Sequence, residues 1–178
     1  MSTMKVVVWL TGCPSSGKTT LAQQLQEKFG AQSEFVDGDV VRNTISKDLQ
    51  HGSGDRKTNL DRVLNLILTT LETKDWIFAA FVSPDAKLRE YTRGVFEEKG
   101  YKFVEVYVHA DGQTLEGRDV KGLYKRYREG DESILLPGLN DTYEAPTHPD
   151  YSVDTASEEP SESVNKLYTF LADIAHQT

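Results

Sequence analysis

Lys18-Thr19-Thr20 follows Gly12-Cys13-Pro14-Ser15-Ser16-Gly17, and the join fits the pattern G-x-x-x-x-G-K-[ST]. Small residues at these positions let successive backbone N–H groups turn inward around phosphate oxygens, while the helix that follows adds its positive N-terminal end. In such a cradle Lys18 reaches the β- and γ-phosphates, and Thr19 offers its hydroxyl to Mg²⁺. Gly12, Ser15, Ser16, Gly17 and Thr20 complete the candidate nucleotide-binding set, with ATP and Mg²⁺ as the expected cofactors. The plain alternative is a glycine-rich strand-to-helix turn with an exposed lysine. It is disfavoured by context, because the stretch sits between a β-rich run and an amphipathic helical pattern.

A phosphate cradle specifies a nucleotide and leaves the reaction open, so the next residues of interest are those able to face the γ-phosphate. In Phe35-Val36-Asp37-Gly38-Asp39-Val40-Val41-Arg42, two carboxylates and an arginine follow an apolar run. One carboxylate can accept the proton of an attacking hydroxyl, and Asp39 and Asp37 are both candidates; Asp37 is also grouped with Thr19 as a Mg²⁺ ligand. Arg42 can pair bidentately with an anionic acceptor. A further charged cluster, Asp55 to Arg62, opens a leucine-rich helical pattern; by itself it reads equally as a solvated helix start. Arg118, Lys121, Lys125, Arg126 and Arg128 concentrate five basic residues in a chain of formal net charge −8. Such a cluster suits a segment that closes over phosphates and neutralises charge in the transition state.

The elements that must carry these groups are legible from periodicity. Lys5–Thr11 lacks polar alternation, as a strand buried on both faces does. Leu21, Leu25 and Phe29 then mark one helical stripe, closed by Gly30. Short apolar runs recur at Glu34–Val36, Trp76–Phe81, Phe103–Val108 and around Tyr151–Val153. Helical patterns lie between and after them, at Leu60–Leu71, Lys87–Glu98 and Ser161–Ile174. Alternating strands and helices predict an α/β fold of three layers with a mainly parallel sheet, in one domain spanning 1–178. The polar interruption Val120–Thr147 is too long for a plain connection and is expected to form a mobile lid. At 38% hydrophobic and 27% charged the composition is that of an ordinary globule. The single cysteine excludes an intramolecular disulfide, no apolar run is long enough to span a bilayer, and the N-terminus lacks an export signal. A cytoplasmic chain is expected, with small-molecule nucleotides as partners and no membrane or nucleic acid, since the acidic balance opposes phosphate-backbone binding. A homodimer is left open.

Taken together the clusters resemble adenylylsulfate kinase, the P-loop kinase family that phosphorylates the 3′-hydroxyl of adenosine 5′-phosphosulfate with MgATP. The matching pieces, in the family's order and spread over most of the chain, are GCPSSGKTT (Gly12–Thr20), DGDVVR (Asp37–Arg42), DRKTNLDR (Asp55–Arg62), FVSP (Phe81–Pro84), RDVKGLYKR (Arg118–Arg126) and YEAP (Tyr143–Pro146). The resemblance implies a P-loop nucleoside-kinase-like fold. It makes Asp39 the base for the 3′-hydroxyl, counts Lys18, Asp37 and Lys121 with it as catalytic, places Arg42, Arg56, Asn59, Val82, Ser83 and Lys121 on the sulfonucleotide, and sets Arg118 near the ATP base. Ser-Pro ahead of a helical pattern also reads as an ordinary helix N-cap with proline in the first turn.

The sequence departs from the family at the substrate adenine. Members carry two aromatic residues that sandwich this base, and the aligned positions here are His51 and Leu136; Asp85 and Ala86 likewise replace a Tyr-Arg pair. A weaker, less selective clamp is expected, one that Leu136→Phe would improve. The departures keep in view a kinase of the same type acting on another anionic nucleotide, such as a cytidine diphosphate derivative. A GTPase switch would need an N-K-x-D motif, and the one Asn-Lys, at Asn165-Lys166, is followed by Leu-Tyr. A motor or ABC-type ATPase would need a glutamate after a strand-end acid, and His109-Ala110-Asp111 is followed by glycine.

Overall fold

The computed structural model describes residues 4–49 and 53–176. Five strands, β1 (Val6–Thr11), β2 (Ser33–Asp37), β3 (Trp76–Ala80), β4 (Lys102–His109) and β5 (Tyr151–Asp154), form one sheet in the order β2-β3-β1-β4-β5. Every pairing is parallel, so the expected mainly parallel sheet is wholly parallel. β1 lies at the centre and all six of its residues are buried. Its period of two splits the side chains between two cores. Val6, Val8 and Leu10 pack on one face against α1 (Lys18–Phe29) and α7 (Pro160–His176), and Val7 and Trp9 pack on the other against α3 (Ser53–Thr70) and α4 (Ala86–Glu97).

This layering makes the site. The chain leaves β1 through α1 on one face and leaves β3 through α4 on the opposite face, while β1 sits between β3 and β4. Helices diverging to opposite sides open a crevice at the carboxyl ends of the strands. Gly12, at the end of β1, is required there. A Cβ on it would come within 2.0 Å of the Val108 carbonyl oxygen, so a side chain would push β1 away from β4.

Three short helices escape a search for periodicity because six or seven residues complete too few turns: α2 (Gly38–Asn43), α5 (Gly112–Arg118) and α6 (Leu123–Arg128). Each is started by an aspartate. Asp37 accepts from the Asp39 and Val40 N–H groups, Asp111 from Thr114, and Asp119 from Tyr124 and Lys125. The long polar interruption is therefore more structured than a loop. Leu115, Tyr124, Ile134 and Leu136 bury one another in a small core of their own, with Cys13 of the phosphate loop packed against it. Asn140 closes the turn, accepting from the Leu136 N–H at 2.7 Å and donating to the Ile134 carbonyl at 2.7 Å.

Candidate active site

A cleft of about 850 Å³ runs across the carboxyl ends of the strands, from the segment after β5, over the phosphate loop, to the start of α3 and the end of β3. The loop from Gly12 to Gly17 is bent through two left-handed residues, Ser15 at φ 64° and Gly17 at φ 101°, and Gly17 launches α1. The N–H groups of the first helical turn have no acceptor within the helix and face the cleft end. Lys18 folds back over the loop. It is nearly buried, and its ammonium donates to the Cys13 carbonyl at 2.8 Å and to the Ser16 hydroxyl at 3.4 Å. Burial lowers its pKa to about 8, a shift that neighbouring Cys13, Asp39 and Asp37 oppose and Lys121 reinforces. The same burial raises the Cys13 thiol.

The two aspartates of the second cluster have separate surroundings. One oxygen of Asp37 is engaged as the cap of α2, accepting from Asp39 N–H at 2.7 Å, and the other accepts from the Thr19 hydroxyl at 3.3 Å. Thr19 and Asp37 thus bring two hard oxygen donors together at the mouth of the phosphate loop, a pair suited to Mg²⁺ whose remaining ligands are phosphate oxygens and water. Among the described residues no three or more His, Cys, Asp or Glu side chains converge as a metal cluster. Asp39 instead projects from the first turn of α2 and pairs with Lys121, both more than half exposed.

The same cleft is lined by Arg42 and Arg56, a wall whose charge suits an anion. Arg56 lies close enough to act on Arg42: burial lowers the Arg42 guanidinium, Asp55 opposes that effect and Arg56 adds to it. Arg56 pairs with Asp141, which reaches in from the segment 119–147. Asn59 is 8% exposed, lines the cleft, and its carboxamide oxygen is buried without a protein hydrogen-bond partner. A buried acceptor left open at a cleft wall costs about 1–3 kcal/mol unless something donates to it, which suits a ligand group. Val82 and Ser83 line the same end.

Two sequence expectations need correction. Leu136 does not face the cleft, because it is fully buried in the small core of its own segment; its neighbours Leu135 and Pro137 line the cleft, and Leu135 is 48% exposed. Ser83 does not cap the following helix. Asp85 does, accepting from the Leu88 N–H at 3.1 Å, while Ser83 is held at φ 45° with its hydroxyl accepting from the Trp9 indole N–H at 3.0 Å. Arg118 lines the cleft, and its guanidinium donates to the Ser15 carbonyl and to both oxygens of Thr155, bracing the phosphate loop against the end of β5. His51 lies outside the described residues.

Two groups of cleft residues escaped the sequence reading. Thr155 to Pro160 lines the end beside Arg118, and its signal was available, since a polar turn after a parallel strand falls on the ligand side of the sheet. The other is Arg89, 5% exposed and bonded to three separate elements. The hint there was Glu105, a carboxylate interrupting an otherwise apolar strand.

A profile of the adenylylsulphate kinase family matches residues 4–154. The adenylyl-sulfate kinase of Picosynechococcus sp. is 36% identical over 176 residues, covering 97% of each chain. That of Gloeothece citriformis is 40% identical over 167 residues, covering 91% of each. Among solved structures, the Mycobacterium tuberculosis APS kinase in complex with AMPPNP and APS is similar with a TM-score of 0.83 at 29% identity, over 96% of this chain and 99% of that one.

Proposed function

From the premise that this chain belongs to the adenylylsulfate kinase family, we propose that it transfers the γ-phosphoryl group of ATP to the 3′-hydroxyl of adenosine 5′-phosphosulfate, giving 3′-phosphoadenylyl sulfate and ADP. The observation that carries this reading is the continuity of one cleft, in which the Lys18 phosphate loop, the Asp39 carboxylate and the Arg42/Arg56 wall face a common space.

The roles follow from position. ATP lies with its base toward Arg118 and Thr155–Pro160 and its phosphates over Gly12–Thr20. Lys18 exchanges the Cys13 carbonyl for the β- and γ-phosphates. Thr19 and Asp37 would hold Mg²⁺, which would offset phosphate charge during transfer. Arg42 and Arg56 hold the acceptor's anionic end, and the open Asn59 carboxamide oxygen accepts from a donor group of the same nucleotide, with Val82 and Ser83 alongside. Asp39 accepts the proton of the 3′-hydroxyl as that oxygen bonds to the γ-phosphorus and the bond to the bridging oxygen of ADP breaks. Lys121 must leave Asp39 for this, and it then faces the phosphates whose charge it neutralises. Residues 120–147 act as the lid of a single kinase domain, and the reaction belongs in the cytoplasm, where ATP is supplied and Cys13 stays reduced.

The test is incubation with γ-labelled ATP, Mg²⁺ and adenosine 5′-phosphosulfate, followed by a 3′-nucleotidase. The reading requires Mg²⁺-dependent label in the nucleotide that the 3′-specific enzyme releases. Label elsewhere in the product, or ATP turnover that ignores the acceptor, would refute it.

A further inference from the structure

Arg89 stands outside the phosphate loop and outside the Arg42/Arg56 wall, yet it is 5% exposed and each of its three guanidinium nitrogens donates a hydrogen bond. Its Nε donates to Glu105 Oε1 at 2.9 Å, one terminal nitrogen to the Ser83 carbonyl at 2.6 Å, and the other to the Glu144 carbonyl at 2.5 Å. These acceptors belong to β4, to the strand end that lines the cleft, and to the far arm of the segment carrying Lys121 and Asp141. The Tyr143 ring lies 5.9 Å away, and its hydroxyl is bonded to Thr11 at 2.9 Å.

We propose that Arg89 is a positioning residue for the phosphoryl acceptor, the planar fork that fixes the Val82–Ser83 cleft edge and the Tyr143–Glu144 arm in one geometry. The proposal rests on the kinase reading above. Ser83 has φ 45°, a left-handed conformation that a non-glycine residue keeps only when its surroundings impose it. Trp9 holds its hydroxyl and Arg89 its carbonyl, so the direction in which this edge faces the cleft depends on Arg89. The arm is tied to the same place: the Glu144 N–H donates to the Pro84 carbonyl at 2.9 Å, and the Glu144 side chain accepts from the Ala86 N–H at 2.8 Å. Glu105 supplies the counter-charge that lets a guanidinium stay buried. A lysine satisfies Glu105 but cannot span three acceptors in a plane.

The experiment compares wild type, Arg89→Lys and the double variant Arg89→Met/Glu105→Leu, which removes the buried charges together so that folding is retained. Thermal melting, kinetics with each substrate varied, and amide hydrogen exchange are measured on each. Both variants should raise KM for the acceptor by roughly 10- to 100-fold while KM for ATP stays within about twofold, the pattern of a misplaced acceptor beside an intact phosphate loop. Amides of residues 82–86 and 143–146 should exchange faster while β1 stays protected. A double variant that melts like wild type and keeps the wild-type acceptor KM overturns the proposal, as does unchanged exchange at those two segments. A wild-type protein inactive on adenosine 5′-phosphosulfate would instead count against the kinase assignment, and exchange would still decide whether Arg89 sets the edge.

Discussion

Lys18 and Asp39 are the residues to which the proposed reaction assigns the chemistry, and each is paired within the protein: Lys18 with the Cys13 carbonyl, Asp39 with Lys121. Burial holds the Lys18 ammonium near a pKa of about 8, below its ordinary 10.5. Its folded value is depressed, so burying the charge costs stability in full below about pH 8, and the cost is relieved as pH rises toward 10.5. Bound triphosphate favours the charged form. Nucleotide affinity should therefore fall by up to roughly tenfold per pH unit above 8, with a proton taken up on binding. Calorimetry with a non-hydrolysable ATP analogue between pH 7 and 9.5 checks this; a constant Kd across that range would remove the role given to Lys18. For Asp39, replacement by Asn should lower kcat by roughly 10²- to 10⁴-fold with KM for ATP little changed. An effect confined to the acceptor KM would make Asp39 a binding residue. Asp37 is the poorer base, since one of its oxygens caps α2 and the other meets Thr19.

The segment from Val120 to Thr147 is where element-scale reasoning changed most. Its length and charge marked it as functional, but a search for periodicity saw neither the six residues of α6 nor the Leu115–Tyr124–Ile134–Leu136 core. Alignment to the family put Leu136 on the substrate base; packing turned it inward and left Leu135 exposed at the cleft. The expected benefit of Leu136→Phe is accordingly withdrawn, because overpacking a filled core costs typically 1–3 kcal/mol. Leu135→Phe should instead lower the acceptor KM by about tenfold, the order expected for stacking a base on an aromatic face. Steady-state kinetics on both variants distinguish the positions: an acceptor KM improved by Leu136→Phe and unaffected by Leu135→Phe would show that the segment turns over when substrate binds. Phosphate-loop residues, by contrast, were legible because their function is local, eight consecutive positions with one backbone purpose. Arg89 was not, because its partners lie 6, 16 and 55 positions away and only the folded chain brings them together.

At the scale of the molecule, the parallel sheet does two things at once. It buries β1 completely, so the phosphate loop springs from a central strand covered on both faces, and it divides the helices so that a crevice opens where that loop ends. Strand alternation made this architecture readable from apolar runs at β1, β3 and β4; the full parallel order needed the pairings. The same fold can present its crevice to other acceptors, so the account depends on the Arg42 and Arg56 wall, to which we assign the anionic end of the nucleotide. The most direct measurement is kcat/KM at saturating MgATP for adenosine 5′-phosphosulfate beside adenosine 5′-phosphate and a cytidine diphosphate derivative. The account predicts that adenosine 5′-phosphosulfate is preferred by at least about tenfold, a difference of roughly 1.4 kcal/mol in transition-state binding. A cytidine derivative phosphorylated with the higher kcat/KM would contradict it.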